Sequence, residues 1–203
     1  MFITFEGPEG AGKSTVLRAV ADSLRQEGRA VLETREPGAG EVGREIRRLL
    51  LQGQELEPAA ELFLFLADRA QHVRDIVRPA LAEGTIVLCD RHADSTLVYQ
   101  GYGRGLELAL LRDLNRLATS GLRPGLTLLL DLPAEVGLAR IAHPDRIDRE
   151  PLEFHQRVRD GFLSEAQREP DRWVVLDASV EPEMVTDRAL EEVRKRLTTA
   201  IGR

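Results

Sequence analysis

The stretch Phe2-Ile3-Thr4-Phe5-Glu6-Gly7-Pro8-Glu9-Gly10-Ala11-Gly12-Lys13-Ser14-Thr15 decides the fold. Phe2–Phe5 is a short apolar run that reads as a buried strand. Gly7 to Ser14 then satisfies every position of G-x-x-x-x-G-K-[ST]. The glycines let the backbone curl so that its N–H groups converge on one phosphate group. A helix predicted over Lys13–Gln26 adds the positive end of its dipole. Lys13 is placed to reach the β and γ phosphates and Ser14 to ligate Mg²⁺. Gly7, Pro8, Glu9, Gly10, Ala11, Gly12, Lys13, Ser14 and Thr15 therefore form a nucleoside triphosphate site. By itself this loop leaves a kinase, a GTPase and a motor ATPase all open.

Outward from the loop, apolar runs alternate with segments of helical period. Strands are predicted at Phe2–Phe5, Ala30–Thr34, Thr85–Asp90, Leu126–Asp131 and Trp173–Leu176. Helices are predicted at Lys13–Gln26, Glu41–Leu51, Ala59–Ala82, Leu106–Thr119, Pro133–Ala142, Leu152–Gln167 and Glu183–Thr199. Pro79 should end or kink the third of these. Pro58, Pro133, Pro151 and Pro182 sit where a first helical turn tolerates proline. The strands read as apolar on both faces. The fold class is therefore α/β, with a five-stranded parallel sheet covered by helices on both sides, in a single domain spanning 1–203. In such sheets ligands lie at the carboxyl ends of the strands.

Those ends narrow the chemistry. No Asn-Lys-x-Asp stretch is present to read guanine. The third strand ends in Asp90-Arg91, so Asp90 is a candidate Mg²⁺ holder acting through water, beside Ser14. Arg91 puts a phosphate-binding fork where a hydrolase keeps a catalytic carboxylate or Gln, which favours a second phosphorylated ligand over an attacking water. Arg35, Arg69, Arg104, Arg140, Arg146 and Arg149 also fall at strand ends, in loops or on flanking helices. His72, His92, His143 and His155 lack metal-ligand spacing and read as surface or satisfied residues.

Composition bounds the rest. The chain has 203 residues, 42% of them hydrophobic and 31% charged, which suits one ordinary globular core. A formal net charge of −6 argues against general binding of nucleic-acid polymers, which rests on many basic contacts. Cys89 is the only cysteine, so no internal disulfide forms and a reducing, cytoplasmic location is expected. No apolar run reaches the length of a membrane span.

Several further stretches resemble the thymidylate kinases, of the bacterial type with a basic lid. They are the phosphate loop, Thr34-Arg35-Glu36-Pro37-Gly38, Leu64-Phe65-Leu66-Ala67-Asp68-Arg69-Ala70-Gln71-His72, Asp90-Arg91-His92 with Ser95-Thr96 and Tyr99-Gln100-Gly101, Leu130-Asp131-Leu132-Pro133, and Asp145-Arg146-Ile147-Asp148. The resemblance covers nearly the whole chain in order. It implies an ATP:dTMP phosphotransferase of P-loop nucleoside monophosphate kinase architecture, acting in dTTP biosynthesis with Mg²⁺, ATP and dTMP. It implies that Phe65 stacks on thymine, that Arg69 donates to thymine O4, that Ser95 and Thr96 lie near the base edge, and that Gln100 binds the substrate. Arg91 then binds the acceptor phosphate, with Arg35 near the phosphates in transfer. Glu9 accepts from the 3′-hydroxyl, and Tyr99 leaves no room for a 2′-hydroxyl. Arg140 and Ala178, in the Asp177-Ala178-Ser179 turn, belong to the adenine side.

From their surroundings alone, Phe65 and Tyr99 equally suit a core, and Arg69 a pair with Asp68 or Glu61. Two departures stand out. The family commonly reads Pro-Gly-Gly-Thr where this chain has Pro37-Gly38-Ala39-Gly40, and only four residues separate Arg140 from Asp145. With Gly10 facing the transfer, the catalytic arginine must come from a lid at about 142–150, Arg146 first and Arg149 second. A homodimer is expected through the Ala59–Ala82 helix, whose Leu62, Leu64, Leu66 and Val73 cannot all face one side. Two rivals remain at this stage: another nucleotide or deoxynucleoside kinase, and a P-loop ATPase switch.

Overall fold

The computed structural model describes residues 1–52 and 54–201. β1 (Phe2–Glu6) lies at the centre of its sheet, and every one of its residues is buried. It pairs in parallel with β3 (Ile86–Asp90) on one side and β4 (Leu126–Asp131) on the other. β2 (Val31–Arg35) and β5 (Trp173–Asp177) close the edges, giving the order β2-β3-β1-β4-β5, all parallel. Even the polar residues inside are matched: Thr4 Oγ1 lies 2.9 Å from Thr127 Oγ1 on β4.

The expectation of strands buried on both faces holds for β1, β3 and most of β4. It fails at the edges. Every residue of β2 is partly or fully exposed, and Val175 of β5 is 48% exposed. An edge strand has a neighbour on one side only, so its faces are less completely covered.

The helices follow from their periodicities. α1 (Lys13–Gln26) buries Val16, Leu17, Val20, Ala21 and Leu24 along one stripe against the sheet. It ends where Gly28 takes φ +77 and Gly28 and Arg29 donate back to Arg25 and Leu24. α2 (Gly40–Gln52) leads toward α3 (Pro58–His72), whose N-cap Glu57 accepts from Ala59 and Ala60 N–H. Helix then continues to Ala82, but not uniformly. A π segment, Val73–Val77, separates α3 from α4 (Arg78–Ala82). Pro79 thus does not end the helix; the widened turn before it accommodates the ring and the missing N–H.

A helical stretch absent from the sequence reading follows β3. α5 (Ala93–Thr96) runs into a second π segment, Leu97–Gly103. Two glycines lower its intrinsic helicity, and burial forms it instead: a Cβ on Gly103 would sit 2.6 Å from the Phe154 ring. α6 (Leu108–Ala118) begins two residues later than predicted because Glu107 is extended. α7 (Ala134–Ala139) stops three residues early, well before His143, whose helical conformation Pro144 disfavours. α8 (Leu152–Arg168) and α9 (Pro182–Ile201) match their patterns. No helix is long and apolar enough to cross a membrane among the described residues.

Candidate functional site

The phosphate loop packs by backbone alone against the start of α7. A Cβ on Gly10, which has φ +67, would lie 2.0 Å from the Gly137 carbonyl oxygen. A Cβ on Gly137 would lie 2.1 Å from the Glu9 carbonyl oxygen. Neither position has room for a side chain. Gly12, at φ 85, caps α1 and accepts from Thr15 and Val16 N–H. Lys13 is buried, and its Nζ donates to the carbonyls of Gly7 (3.0 Å) and Pro8 (2.8 Å). Burial, together with the Arg91 charge, pushes the Lys13 ammonium down to about 8 against the opposing pull of Glu9, Asp90 and Glu6.

A cavity of about 330 Å³ opens directly from this loop, at the carboxyl ends of β1, β2 and β3. Arg91 follows β3 with φ 67, a left-handed conformation that costs a non-glycine residue about 1–2 kcal/mol. Its guanidinium recovers that through several contacts. It donates to the Gly7 carbonyl (3.0 Å), the Ser95 hydroxyl (3.4 Å) and the Glu9 carboxylate (2.5 Å), and lies 4.9 Å from the Tyr99 ring centre. Tyr99 donates its hydroxyl to the other Glu9 oxygen at 2.6 Å. Burial alone would raise Glu9, but Arg91, Lys13 and the Tyr99 hydrogen bond outweigh it and hold the carboxyl at about 2. Glu9 is therefore an ionised acceptor between the loop and the cavity.

The far end of the cavity is shaped by α3 and the second π segment. Phe65 is half-buried against the cluster that holds Tyr99, Ile147 and Phe154. Arg69 is almost wholly buried. It donates to Glu36 (2.8 Å), Thr96 Oγ1 (2.7 Å), Asn115 Oδ1 (2.7 Å) and the His92 carbonyl (3.0 Å). With five N–H groups, its guanidinium keeps one donor beyond these four bonds. Arg69 thus pairs with Glu36, not with Asp68 or Glu61. Gln100 donates to Glu61 at 3.0 Å and lines the cavity. Ser95 donates to Glu6 at 2.6 Å; burial, with repulsion from Asp94, raises Glu6 to about 8.

Most of the expected site residues meet around this one cavity: Glu9 to Thr15, Arg35, Phe65, Arg69, Asp90, Arg91, Ser95, Thr96, Tyr99 and Gln100 line it. Arg140 reaches toward the Gly10 carbonyl at 3.4 Å. Ala178 is buried in the same core cluster as Ala11, and its N–H donates to Asp131.

Two expected lid residues lie away from the cavity. Arg146 does not line the cavity. Its guanidinium donates to the Leu50 carbonyl (2.8 Å) and the Glu61 carboxylate (2.5 Å), because Ile147 beside it is buried and turns Arg146 back toward α2 and α3. Arg149 is exposed and makes no ion pair among the described residues. Of the histidines expected to be surface or satisfied residues, His72 and His92 are buried and bonded to Glu36. Each places Nδ1 2.8 Å from Glu36 Oε1, deep beneath Arg69. His155 departs from that expectation, since it is buried with both ring nitrogens unpartnered.

Sequence reasoning missed Arg47 and gave no site role to Glu36 and Asp145, all of which line the cavity. Arg47, one turn before the end of α2, donates to the Pro37 carbonyl at 2.8 Å. Its helical position carried no motif, and only the packing of α2 over the Pro37 turn brings it in.

The oxygen donors suit a magnesium–nucleotide complex. Ser14 Oγ donates to Asp90 Oδ2 at 2.5 Å, so a hydroxyl and a carboxylate converge beside the phosphate loop. No cluster of three or more metal-ligating side chains occurs among the described residues. A hydroxyl and a carboxylate suit Mg²⁺, which retains water and takes its remaining ligands from substrate phosphates.

Comparison with known proteins agrees with this geometry. The family model described as thymidylate kinase matches residues 5–189. A thymidylate kinase of Synechococcus sp. (strain JA-2-3B'a(2-13)) is 54% identical over 98% of this chain and 97% of its own. One from Thermomicrobium roseum is 54% identical over 96% of each chain. The crystal structure of thymidylate kinase from Ehrlichia chaffeensis superposes with a TM-score of 0.80 at 34% identity, covering 95% of this chain and 98% of that one. With the loop, the arginine-lined cavity and these relatives in agreement along its length, the chain belongs to the thymidylate kinase family.

Proposed function

We propose that this protein transfers the γ-phosphoryl group of ATP to dTMP, yielding dTDP and ADP. The observation that carries this reading is the continuity of one cavity from the phosphate loop, past Arg91 and Glu9, to Phe65, Arg69 and Gln100. Its loop end carries phosphate-binding groups, and Phe65, Arg69 and Gln100 line it as well.

The acceptor is an anionic phosphate, so no general base is required. Catalysis consists of alignment and charge neutralisation. Lys13 and Arg35 bind the transferring group, and Arg91 holds the acceptor phosphate. Ser14 and Asp90 would hold Mg²⁺, which would supply positive charge to the donor phosphates. Glu9 accepts from the 3′-hydroxyl, Tyr99 closes the space beside the 2′ carbon, and Phe65 stacks on the base. The segment at about 142–150 acts as a lid. Within it Arg149 supplies charge to the passing group, because Arg146 is committed to Glu61. ATP lies with its adenine toward Arg140 and Ala178.

The protein works in the cytoplasm as a homodimer. Leu62 and Val73, expected at this contact, are buried within the chain, so Phe63 on α3, 61% exposed, and Leu117 on α6, 77% exposed, form the apolar contact. Light scattering at micromolar concentration should give twice the chain mass.

Coupled ADP release across nucleoside monophosphates tests the reaction. dTMP should exceed dCMP, CMP, AMP and GMP by orders of magnitude. Equal use of dCMP, use of thymidine itself, or acceptor-independent hydrolysis as the main activity would overturn the proposal.

A further inference from the structure

Three segments distant in sequence converge on one buried carboxylate. Glu61 of α3 is 1% exposed. Its Oε1 accepts from Gln100 Nε2 at 3.0 Å and from Arg104 Nε at 3.3 Å. Its Oε2 accepts from Arg104 Nη2 at 3.3 Å and from Arg146 Nη2 at 2.5 Å. Arg104 also pairs with Glu150 at 2.7 Å, so residues 146 and 150 are both tied to this point.

An ionised carboxylate only accepts hydrogen bonds, so the end of the Gln100 amide that faces it must be the NH₂. That fixes the amide against flipping. Its Oε1 accepts from no protein donor among the described residues and is not sealed off from solvent. Because Gln100 lines the cavity, this oxygen is the end of the amide available there. A pyrimidine with N–H at ring position 3, such as thymine, donates to it. Cytosine presents a lone pair at that position and meets an acceptor with an acceptor.

We propose that Glu61 is the positioning residue for base choice: it locks Gln100 with its acceptor toward the base, and Arg104 and Arg146 hold Glu61 in place. The proposal rests on the thymidylate reading. It gives Arg146 a task in the empty and filled enzyme alike, as a strut between the 140–151 segment and the base reader.

The test is the ratio of kcat/KM for dTMP to that for dCMP in the wild type, Glu61→Gln, Gln100→Met and the double variant. A Gln at 61 offers either an oxygen or an NH₂, so Gln100 is free to turn. Glu61→Gln should lower the ratio about ten-fold or more, through KM and with a gain in dCMP use. Gln100→Met, which leaves Glu61 and both arginines intact, should lower it similarly. The double variant should fall no further, because Glu61 acts through Gln100. If Glu61→Gln loses activity equally toward both nucleotides, its role is structural and the proposal fails. If that variant does not fold, an unchanged ratio in Gln100→Met still overturns it. A wild type with no preference for dTMP would instead remove the functional reading itself.

Discussion

The phosphate loop and the segment from Arg140 to Pro151 flank the same cavity and are built by opposite means. The loop is shaped by backbone. Gly7 and Gly10 press against the carbonyls of Leu130 and Gly137, and Lys13 bonds to carbonyls six and five residues before it. The later segment has little regular structure. It is held by a short turn in which Asp145 accepts from Ile147 and Asp148 N–H, by one backbone bond from Arg146 N–H to the Leu51 carbonyl, and mainly by side chains reaching other elements. Ile147 enters the core, Arg146 reaches Glu61 and Leu50, and Glu150 reaches Arg104. A loop made of its own backbone is rigid and aims N–H groups at a fixed point. A segment held by a few ion pairs can exchange them, which is what a lid needs.

The sharpest way to break the comparison is at Lys13. Lys13→Ala should lower kcat about 10²- to 10³-fold with unchanged circular dichroism, since the lysine acts on charge that grows in the transition state. Near-native turnover would mean that the loop only binds nucleotide.

Gly10→Ala comes next. Its Cβ would need the space of the Gly137 carbonyl, in a left-handed conformation besides. Backbone must move, so both the melting temperature and ATP affinity should fall, with Gly137→Ala showing the same pair of losses. An unchanged melting temperature in both variants would show that α7 yields freely and that the loop is not braced there.

The lid arginines should separate by readout. Arg149→Ala should reduce kcat about ten-fold or more while leaving thermal stability unchanged, as for an interaction made in the transition state. Arg146→Ala should lower stability by about 1–3 kcal/mol, because it removes one of the two arginines on a buried carboxylate. If Arg146→Ala instead abolishes kcat at native stability, the ion pair to Glu61 breaks during closure and Arg146 delivers the charge.

The smallest effect concerns protons. Burial lowers Lys13 to about 8, and bound phosphates favour its charged form. ATP binding should therefore take up a fraction of a proton at pH 8 to 9 and almost none at pH 6. Calorimetry in buffers of different ionisation enthalpy reads this directly. Without ligand, the folded pKa lies below the unfolded 10.5, so the folded state binds fewer protons between about 8 and 10.5. Stability should rise with pH across that window through this group. In Lys13→Ala both signals should disappear.

How much was legible in advance differs residue by residue. Lys13, Ser14, Asp90 and Arg91 were readable because each follows a strand or belongs to a fixed spacing. Phe65, Arg69, Tyr99 and Gln100 were assigned by resemblance, since an aromatic or an arginine in an apolar helix has no local mark of its role. The helical run 93–103 was missed because its glycines lower helix propensity, and only packing against α6 and α8 makes it helical. Arg47 carried no motif, Glu36 lay in a quoted stretch without a role, and Arg146, placed in the lid beside Asp145 and Asp148, pairs instead with Glu61.

By itself, then, the sequence determined a parallel α/β sheet, the strand that feeds the phosphate loop, and the residues at the strand ends. These rest on the period of apolar residues and on glycine stereochemistry, which act within a few residues of chain. Tertiary structure alone decided which arginine meets which carboxylate. With 28 basic and 34 acidic side chains, no local rule selects Glu36 for Arg69 or Glu61 for both Arg104 and Arg146. Charge attraction is long-ranged and unselective along the chain, and partners are chosen only when packing brings two charges together out of water.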